Sequence, residues 1–168
     1  AQQGFQVFIL PLEDEFGWTR TQVNVSLVLG VAMAWFSPFV GVMMDRFGAR
    51  WVMASSLAMI ALGFFLRATM TELWQFYLFT ILIYLGTPGA SMLPAGRLIG
   101  MWFPSTRGRM MGIVTSGNNL GGMITIFFFG TFFIVLVGWR WSFFAIGVAM
   151  LVITVLAIVI VRDHPDDV

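Results

Sequence analysis

Long apolar stretches alternate along the whole chain with short turns that contain arginine, acidic residues, glycine or proline. A helix needs about 20 apolar residues to cross a bilayer, and most of these stretches reach that length. We therefore predict an all-α membrane protein, a bundle of five full transmembrane helices and the end of a first. The predicted helices cover roughly residues 2–12, 21–44, 51–69, 73–103, 108–137 and 141–161.

Both ends of the sequence interrupt this pattern. The stretch 2–12 is too short to cross a bilayer, so we interpret it as the outer end of a helix that begins before Ala1. The chain stops just after its last apolar stretch. We expect residues 1–168 to form a single six-helix transmembrane domain that is truncated at both ends.

Two predicted helices contain proline. Pro38 lies in the second, and a membrane helix tolerates proline where neighbouring groups satisfy the carbonyl that it frees. The fourth helix is long, and it contains Gly86, Pro88 and Gly89 near its middle. We predict a kink or a tilt there.

The composition supports a membrane protein. The chain is 59% hydrophobic and 10% charged, with a mean hydropathy of +0.90, whereas a soluble domain carries about 25% charged residues. The net charge of +1 gives no reason to expect a nucleic-acid partner. Cysteine is absent, so thiolate metal sites are excluded, and we expect neither a metal nor a cofactor.

Arginine distribution predicts the topology. One side of the predicted bundle has five loop arginines and the other side has three; the five are Arg46, Arg50, Arg107, Arg109 and Arg162. The positive-inside rule places residues 45–50, residues 104–109 and the C-terminus in the cytoplasm. We expect a multi-pass protein of the cell membrane, either an inner or a plasma membrane.

Arg97 lies within the fourth predicted helix, about two turns before its cytoplasmic end. A membrane-embedded arginine usually faces the bundle interior or an aqueous cavity, where it can bind a carboxylate bidentately. Two other interpretations stay open. Arg97 can snorkel to the nearby interface, or it can pair with Asp45.

Further polar residues could line a translocation path. Asn118 and Asn119 are adjacent on the fifth predicted helix, so we expect only one of them to face a cavity. Tyr84, near Gly86 and Pro88, supplies a hydroxyl or simply packs in the core. The spacing Gly108/Gly112 and Gly117/Gly121 favours close helix packing.

The loop from Gly41 to Arg50 combines features that suit a specific contact with another helix. Gly41 would let another helix approach closely, Asp45 can face an arginine or the positive end of a helix, and Gly48 permits a tight turn. The alternative is a plain charged turn. No acid–base pair or nucleophile–histidine set lies within the spans, so we do not expect an enzyme.

These loops resemble a known signature. Gly41-x-x-x-Asp45-Arg46-x-Gly48-x-Arg50 and the second loop, Trp102-Phe103-Pro104-x-x-Arg107-Gly108-x-x-x-Gly112, resemble the major facilitator superfamily. Within it, the segments 5–21 and 108–122 are similar to the monocarboxylate and oxalate/formate transporter group.

The resemblance implies a twelve-helix fold of two six-helix halves that works by alternating access around a midplane site. This chain would be most of the N-terminal half. A conformational latch would comprise Gly41, Asp45, Arg46, Gly48 and Arg50, and the second cytoplasmic loop would include Arg107, Gly108 and Arg109. The latch would contact a helix of the missing C-terminal six-helix half.

One position departs from the family pattern. Animal monocarboxylate transporters carry a lysine on the first helix, and the nearest residue here is Gln3. A lysine-based, proton-linked mechanism is therefore not expected, although Gln3 stays a candidate for the substrate path.

The sequence thus predicts a secondary active transporter of a small organic anion, a mono- or dicarboxylate. Transport would be coupled to a proton or a counter-anion, as a symporter or an antiporter. The alternatives are a superfamily transporter of a drug or a sugar, and a six-span membrane protein that does not transport.

Overall fold

The computed structural model describes residues 9–125, 127–128 and 134–162. The α-helices in these ranges are α1 Ile9–Phe16, α2 Arg20–Met33, α3 Ser37–Phe47, α4 Ala49–Ala68, α5 Leu73–Gly86, α6 Met92–Trp102, α7 Arg107–Thr125, α8 Ile134–Val137 and α9 Trp139–Ile160. Short 3-10 turns cover Ala34–Phe36 and Pro88–Ala90. These ranges contain no β-strand, and the predicted all-α class is confirmed.

Two predicted helices are each divided in two. The helix predicted over 21–44 consists of α2 and α3, separated by the turn Ala34–Phe36. Pro38 explains this break. In a continuous helix its ring would clash with the carbonyl of Ala34, four residues earlier. The predicted 21–44 helix was therefore wrong as one continuous element.

The helix predicted over 73–103 consists of α5 and α6, separated by the turn Pro88–Ala90. Pro88 would clash in the same way with the carbonyl of Tyr84. That carbonyl instead accepts a hydrogen bond from the Thr87 N–H at 3.2 Å, in 3-10 fashion. The break lies where the sequence predicts a kink. However, the region is divided into two separate helices and is not one bent helix.

Two helices, α4 and α9, are each long and apolar enough to cross a membrane. The pair α2 and α3 counts as a third candidate, bent by 49°, if it forms one span. The span predicted over 108–137 runs through residues that the structure does not describe. Its described residues include α7, which has no buried residue, and α8.

Packing centres on α4, which lies against α5 and α9, while α2 packs on α5. One apolar cluster lies around the C-terminal end of α4: Leu12, Val23, Met70, Phe76, Trp139, Phe143 and Ile146. A second lies around its N-terminal end: Val40, Met44, Ala49 and Val52. We call these regions the Glu15 end and the Asp45 end. The 20 residues of α4 separate them by about 30 Å.

The turn between α3 and α4 depends on Gly48. Its φ is +83°, in the region that side chains disfavour, and its N–H donates to the Met44 carbonyl at 3.0 Å. Glycine adopts this conformation without steric cost. Gly48 thus allows α3 to end and α4 to begin within one residue, which places Asp45 and Arg46 at the end of the bundle.

Candidate functional site

An ion pair joins α3 to α6 at the Asp45 end. An Arg97 guanidinium nitrogen, Nη1, donates to the Asp45 carboxylate. The Arg97 side chain is 32% exposed and the Asp45 side chain 75%. Leu98, the next residue along α6, packs against the apolar cluster at this end and holds α6 beside α3 and α4. The sequence leaves three interpretations of Arg97 open: substrate binding, snorkelling to the interface, and pairing with Asp45. The structure has the pairing with Asp45.

The neighbouring loop residues have separate surroundings. Arg46 is exposed, and its guanidinium lies 5.9 Å from the Phe47 ring centroid. Arg50 is partly buried, and its guanidinium lies 5.5 Å from the Trp51 ring centroid. No described atom lies within 4 Å of a Cβ built on Gly41. The close helix approach expected at Gly41 is therefore not made by the described part of this chain.

The second basic loop lies at the same end of α6. Arg107 and Arg109 are exposed, and the Arg107 guanidinium carbon lies 3.8 Å from a Cβ built on Gly100 of α6. The indole N–H of Trp102 donates to the carbonyl of Arg162 at 3.3 Å. This hydrogen bond ties the end of α6 to the segment that follows α9.

A pocket of about 240 Å³ lies where the two helix breaks approach each other. It is lined by Gly30, Val31, Ser37, Tyr84, Thr87, Pro88 and Ser91. Of these residues the sequence singled out only Tyr84 as a site candidate. Ser37, Thr87 and Ser91 were missed, although Pro38 and Pro88 mark the two breaks that bring them together.

Gly30 fixes the Tyr84 ring against α2. A Cβ on Gly30 would overlap the ring, lying only 2.6 Å from Cε1. Real Cβ atoms do not approach other carbons so closely. Position 30 therefore needs glycine so that the ring of Tyr84, a residue that lines the pocket, can lie against α2.

The other candidates lie elsewhere. Asn118 and Asn119 are both exposed on α7 and do not line the pocket. A Cβ built on Gly108, Gly112, Gly117 or Gly121 meets no described atom within 4 Å, so the described chain does not make the packing expected of them. Gln3 lies outside the described residues.

The sequence does not predict that Arg67 is buried, because Arg67 lies near the end of a predicted helix, next to a loop. Its side chain is 4% exposed at the C-terminal end of α4. The guanidinium donates to the Thr80 hydroxyl of α5 and lies 4.8 Å from the Phe76 ring and 5.6 Å from the Phe143 ring. Desolvated cation–π contacts of this kind are among the stronger ones. Arg67 thus joins α4, α5 and α9.

Glu15 makes a second polar connection at this end. Its carboxylate accepts hydrogen bonds from the Trp139 indole and from Arg140, the latter at 3.2 Å. Arg140 also lies 4.6 Å from the Trp139 ring. These contacts attach α1 to the start of α9.

Residues 1–168 match the family profile of the Major Facilitator Superfamily. The chain is 29% identical to the glycerol-3-phosphate transporter of Bacillus subtilis (strain 168), over 94% of this chain and 37% of that protein. It is 31% identical to the probable anion transporter 3, chloroplastic, of Oryza sativa subsp. japonica, over 70% of this chain and 23% of that protein. It is also 31% identical to the inner membrane transport protein YnfM of Escherichia coli (strain K12), over 83% of this chain and 34% of that protein.

The chain spans less than half the length of these relatives. Their names are those of transport proteins, not of enzymes, in agreement with the expectation for this chain. One is named for glycerol-3-phosphate, one for anions and one for no substrate, so membership of the monocarboxylate and oxalate/formate group stays a prediction. The superfamily assignment is confirmed by the profile that matches the full sequence: this chain belongs to the Major Facilitator Superfamily.

Proposed function

We propose that this chain is the N-terminal part of a secondary active transporter that carries a small organic anion by alternating access. The observation that carries the proposal is Arg97, a partly exposed arginine on a helix of the bundle, held by Asp45 within the loop that resembles the superfamily signature. Arginine binds carboxylates and phosphates in a planar, bidentate geometry. Two relatives are named for anions, glycerol-3-phosphate in one case.

The finer proposal is a mono- or dicarboxylate coupled to a proton or a counter-anion. It is supported by the resemblance of the segments 5–21 and 108–122 to the monocarboxylate and oxalate/formate group. The remaining half of the fold would pack on the surface of α7, whose glycines meet no described neighbour. We propose that residues 45–50, residues 104–109 and the C-terminus face the cytoplasm of a cell membrane.

Arg97 would act in two states. While Asp45 accepts a hydrogen bond from Nη1, one edge of the guanidinium is occupied. An entering anion would compete with Asp45 for that edge, because both are carboxylate- or phosphate-type acceptors. Opening of the pair would therefore favour substrate binding, and its closing would favour release.

The Asp45–Arg97 contact is suited to breaking in each transport cycle. An ion pair with one partner 75% exposed is worth roughly 0.2–1 kcal/mol. Removing it would shift the equilibrium between outward- and inward-facing states by no more than about fivefold. A latch of this strength biases the transporter without trapping it.

An uptake assay with the full-length protein in proteoliposomes tests the substrate class. We expect saturable uptake of labelled lactate, oxalate or glycerol 3-phosphate, and competition among organic anions. Uptake of a sugar or a lipophilic cation without anion uptake would favour the alternative transport class. No uptake of any solute would favour a protein that does not transport.

The latch is tested by cysteine accessibility at the Asp45 end, in full-length protein without other cysteines. Asp45→Asn and Arg97→Gln should each raise labelling from that side by a few fold, and the charge reversal Asp45→Arg with Arg97→Asp should restore it. Asp14→Asn, an exposed carboxylate at the Glu15 end, serves as the control. Unchanged labelling in Asp45→Asn would exclude the latch.

A further inference from the structure

The pocket between the two helix breaks is lined by apolar surface and several hydroxyl groups. Of the seven described residues that line it, four carry hydroxyls and none is charged; the four are Ser37, Tyr84, Thr87 and Ser91. A few well-placed polar groups in a concave apolar site fix the orientation of a ligand. Discontinuous membrane helices are also where transporters place their binding sites.

The hydrogen-bonding state of these hydroxyls restricts the ligand. Thr87 donates its proton to the Ile83 carbonyl at 3.0 Å, and Ser91 donates to the Pro88 carbonyl at 2.8 Å. Each hydroxyl oxygen retains acceptor capacity, because a hydroxyl has one donor and two lone pairs. Thr87 and Ser91 therefore present acceptors to the pocket.

Tyr84 supplies the complementary donor. Within the part of the chain that the structure describes, its hydroxyl makes no hydrogen bond. Gly30 lets the Tyr84 ring lie against α2, and the ring is thereby held in place. The other tyrosine, Tyr77, differs, since its hydroxyl donates to the Gln22 carbonyl at 2.8 Å and is used within the fold.

A carboxylate or a phosphate fits this arrangement poorly. Such a group only accepts hydrogen bonds. It would meet the acceptor oxygens of Thr87 and Ser91, and none of the lining residues that the structure describes is a cation. An alcohol hydroxyl fits, because it can donate to Thr87 or Ser91 and accept from Tyr84 at the same time.

We propose that this pocket is a hydroxyl-binding subsite, so that the transported solute is a hydroxylated organic anion whose charge is bound elsewhere. This inference rests on the proposed transport function, because only that function makes the solute bound in the pocket the transported one. Tyr84 donates to the solute hydroxyl, and Thr87 and Ser91 accept from it. A site that hydrogen-bonds a substrate hydroxyl discriminates against analogues that lack it.

The test uses a binding readout that does not require transport. Val31 lines the pocket and has no hydroxyl, so Val31→Cys is the reporter in full-length protein without other cysteines. Labelling by a small methanethiosulfonate is measured with two matched pairs of probes that differ by one hydroxyl: lactate against propionate, and the neutral amides lactamide against propionamide. Ser105→Cys, in the exposed turn before α7, is the control position.

We expect lactate and lactamide to protect Val31→Cys at concentrations about threefold to tenfold lower than propionate and propionamide, the effect of one uncharged hydrogen bond. Adding Tyr84→Phe should reduce the preference, because it removes the donor and leaves the acceptors Thr87 and Ser91, while adding Tyr77→Phe should leave the preference unchanged. Protection confined to the neutral pair would support the pocket and count against the anion class of the proposed function.

Four results would overturn the subsite. The first two are equal protection by both members of each pair and a preference that Tyr84→Phe leaves unchanged. The third is equal protection at Ser105→Cys, which would indicate a global conformational effect. The fourth is that none of the four probes protects Val31→Cys.

Discussion

Gly30→Ala perturbs the contact on which the pocket depends. The new methyl group would lie 2.6 Å from Cε1 of Tyr84, whereas carbon atoms pack at about 3.5–4.0 Å. The ring or α2 would have to move by about 1 Å. Because the ring is a rigid body and position 30 is itself buried in α2, the contact cannot be relieved by a flexible side-chain end.

The expected magnitude is the balance of two effects. Alanine is about 1 kcal/mol more favourable than glycine in a helix interior. Overpacking a filled site costs about 1–3 kcal/mol. At so short a distance the overpacking exceeds the helix-propensity gain, and we expect Gly30→Ala to lower the free energy of unfolding by about 1–2 kcal/mol.

A double-mutant cycle measured by unfolding in detergent checks this reasoning. In a Tyr84→Ala background the methyl group has room, so Gly30→Ala should be neutral or stabilising by up to about 1 kcal/mol. Gly96→Ala is the matched control, since a Cβ there meets no described atom within 4 Å. An equal loss of stability with and without Tyr84 would refute the contact.

Two further substitutions test the Glu15 end by the same unfolding measurement. Glu15→Ala should cost about 1–2 kcal/mol, because its carboxylate accepts from the Trp139 indole, whereas the exposed Asp14→Ala should stay within about 0.5 kcal/mol. Arg67→Ala should cost at least about 2 kcal/mol, because the buried guanidinium packs between helices. Arg20→Ala, with a side chain 72% exposed, should cost less than about 1 kcal/mol. If Glu15→Ala and Asp14→Ala, or Arg67→Ala and Arg20→Ala, lowered the free energy of unfolding equally, the contacts of Glu15 or Arg67 would be contradicted.

Features with a local cause could be predicted from the sequence. Apolar length gives the all-α class, because a bilayer allows only helices or closed barrels. The interruption near Pro88 follows from a ring that cannot continue the hydrogen-bond pattern. The Asp45–Arg97 pair is one of the three interpretations that the sequence allows for Arg97, because charged groups within a membrane bundle tend to pair with one another.

Features that depend on distant packing could not be predicted. The sequence places Arg67 beside a loop, but the structure buries it because Phe76 and Phe143, from two other helices, close over its guanidinium. The contact between Gly30 and Tyr84 likewise joins helices far apart in the chain. No local pattern specifies which glycine and which ring will meet.

The most direct test of alternating access is counterflow of a labelled organic anion in proteoliposomes that contain the full-length protein. A carrier must return its site across the membrane, and it returns faster when loaded. We therefore predict that preloading the vesicles with unlabelled lactate will accelerate uptake of labelled lactate, and that Asp45→Asn will alter this acceleration. Uptake that is indifferent to preloading, or absent, would contradict the proposed mechanism.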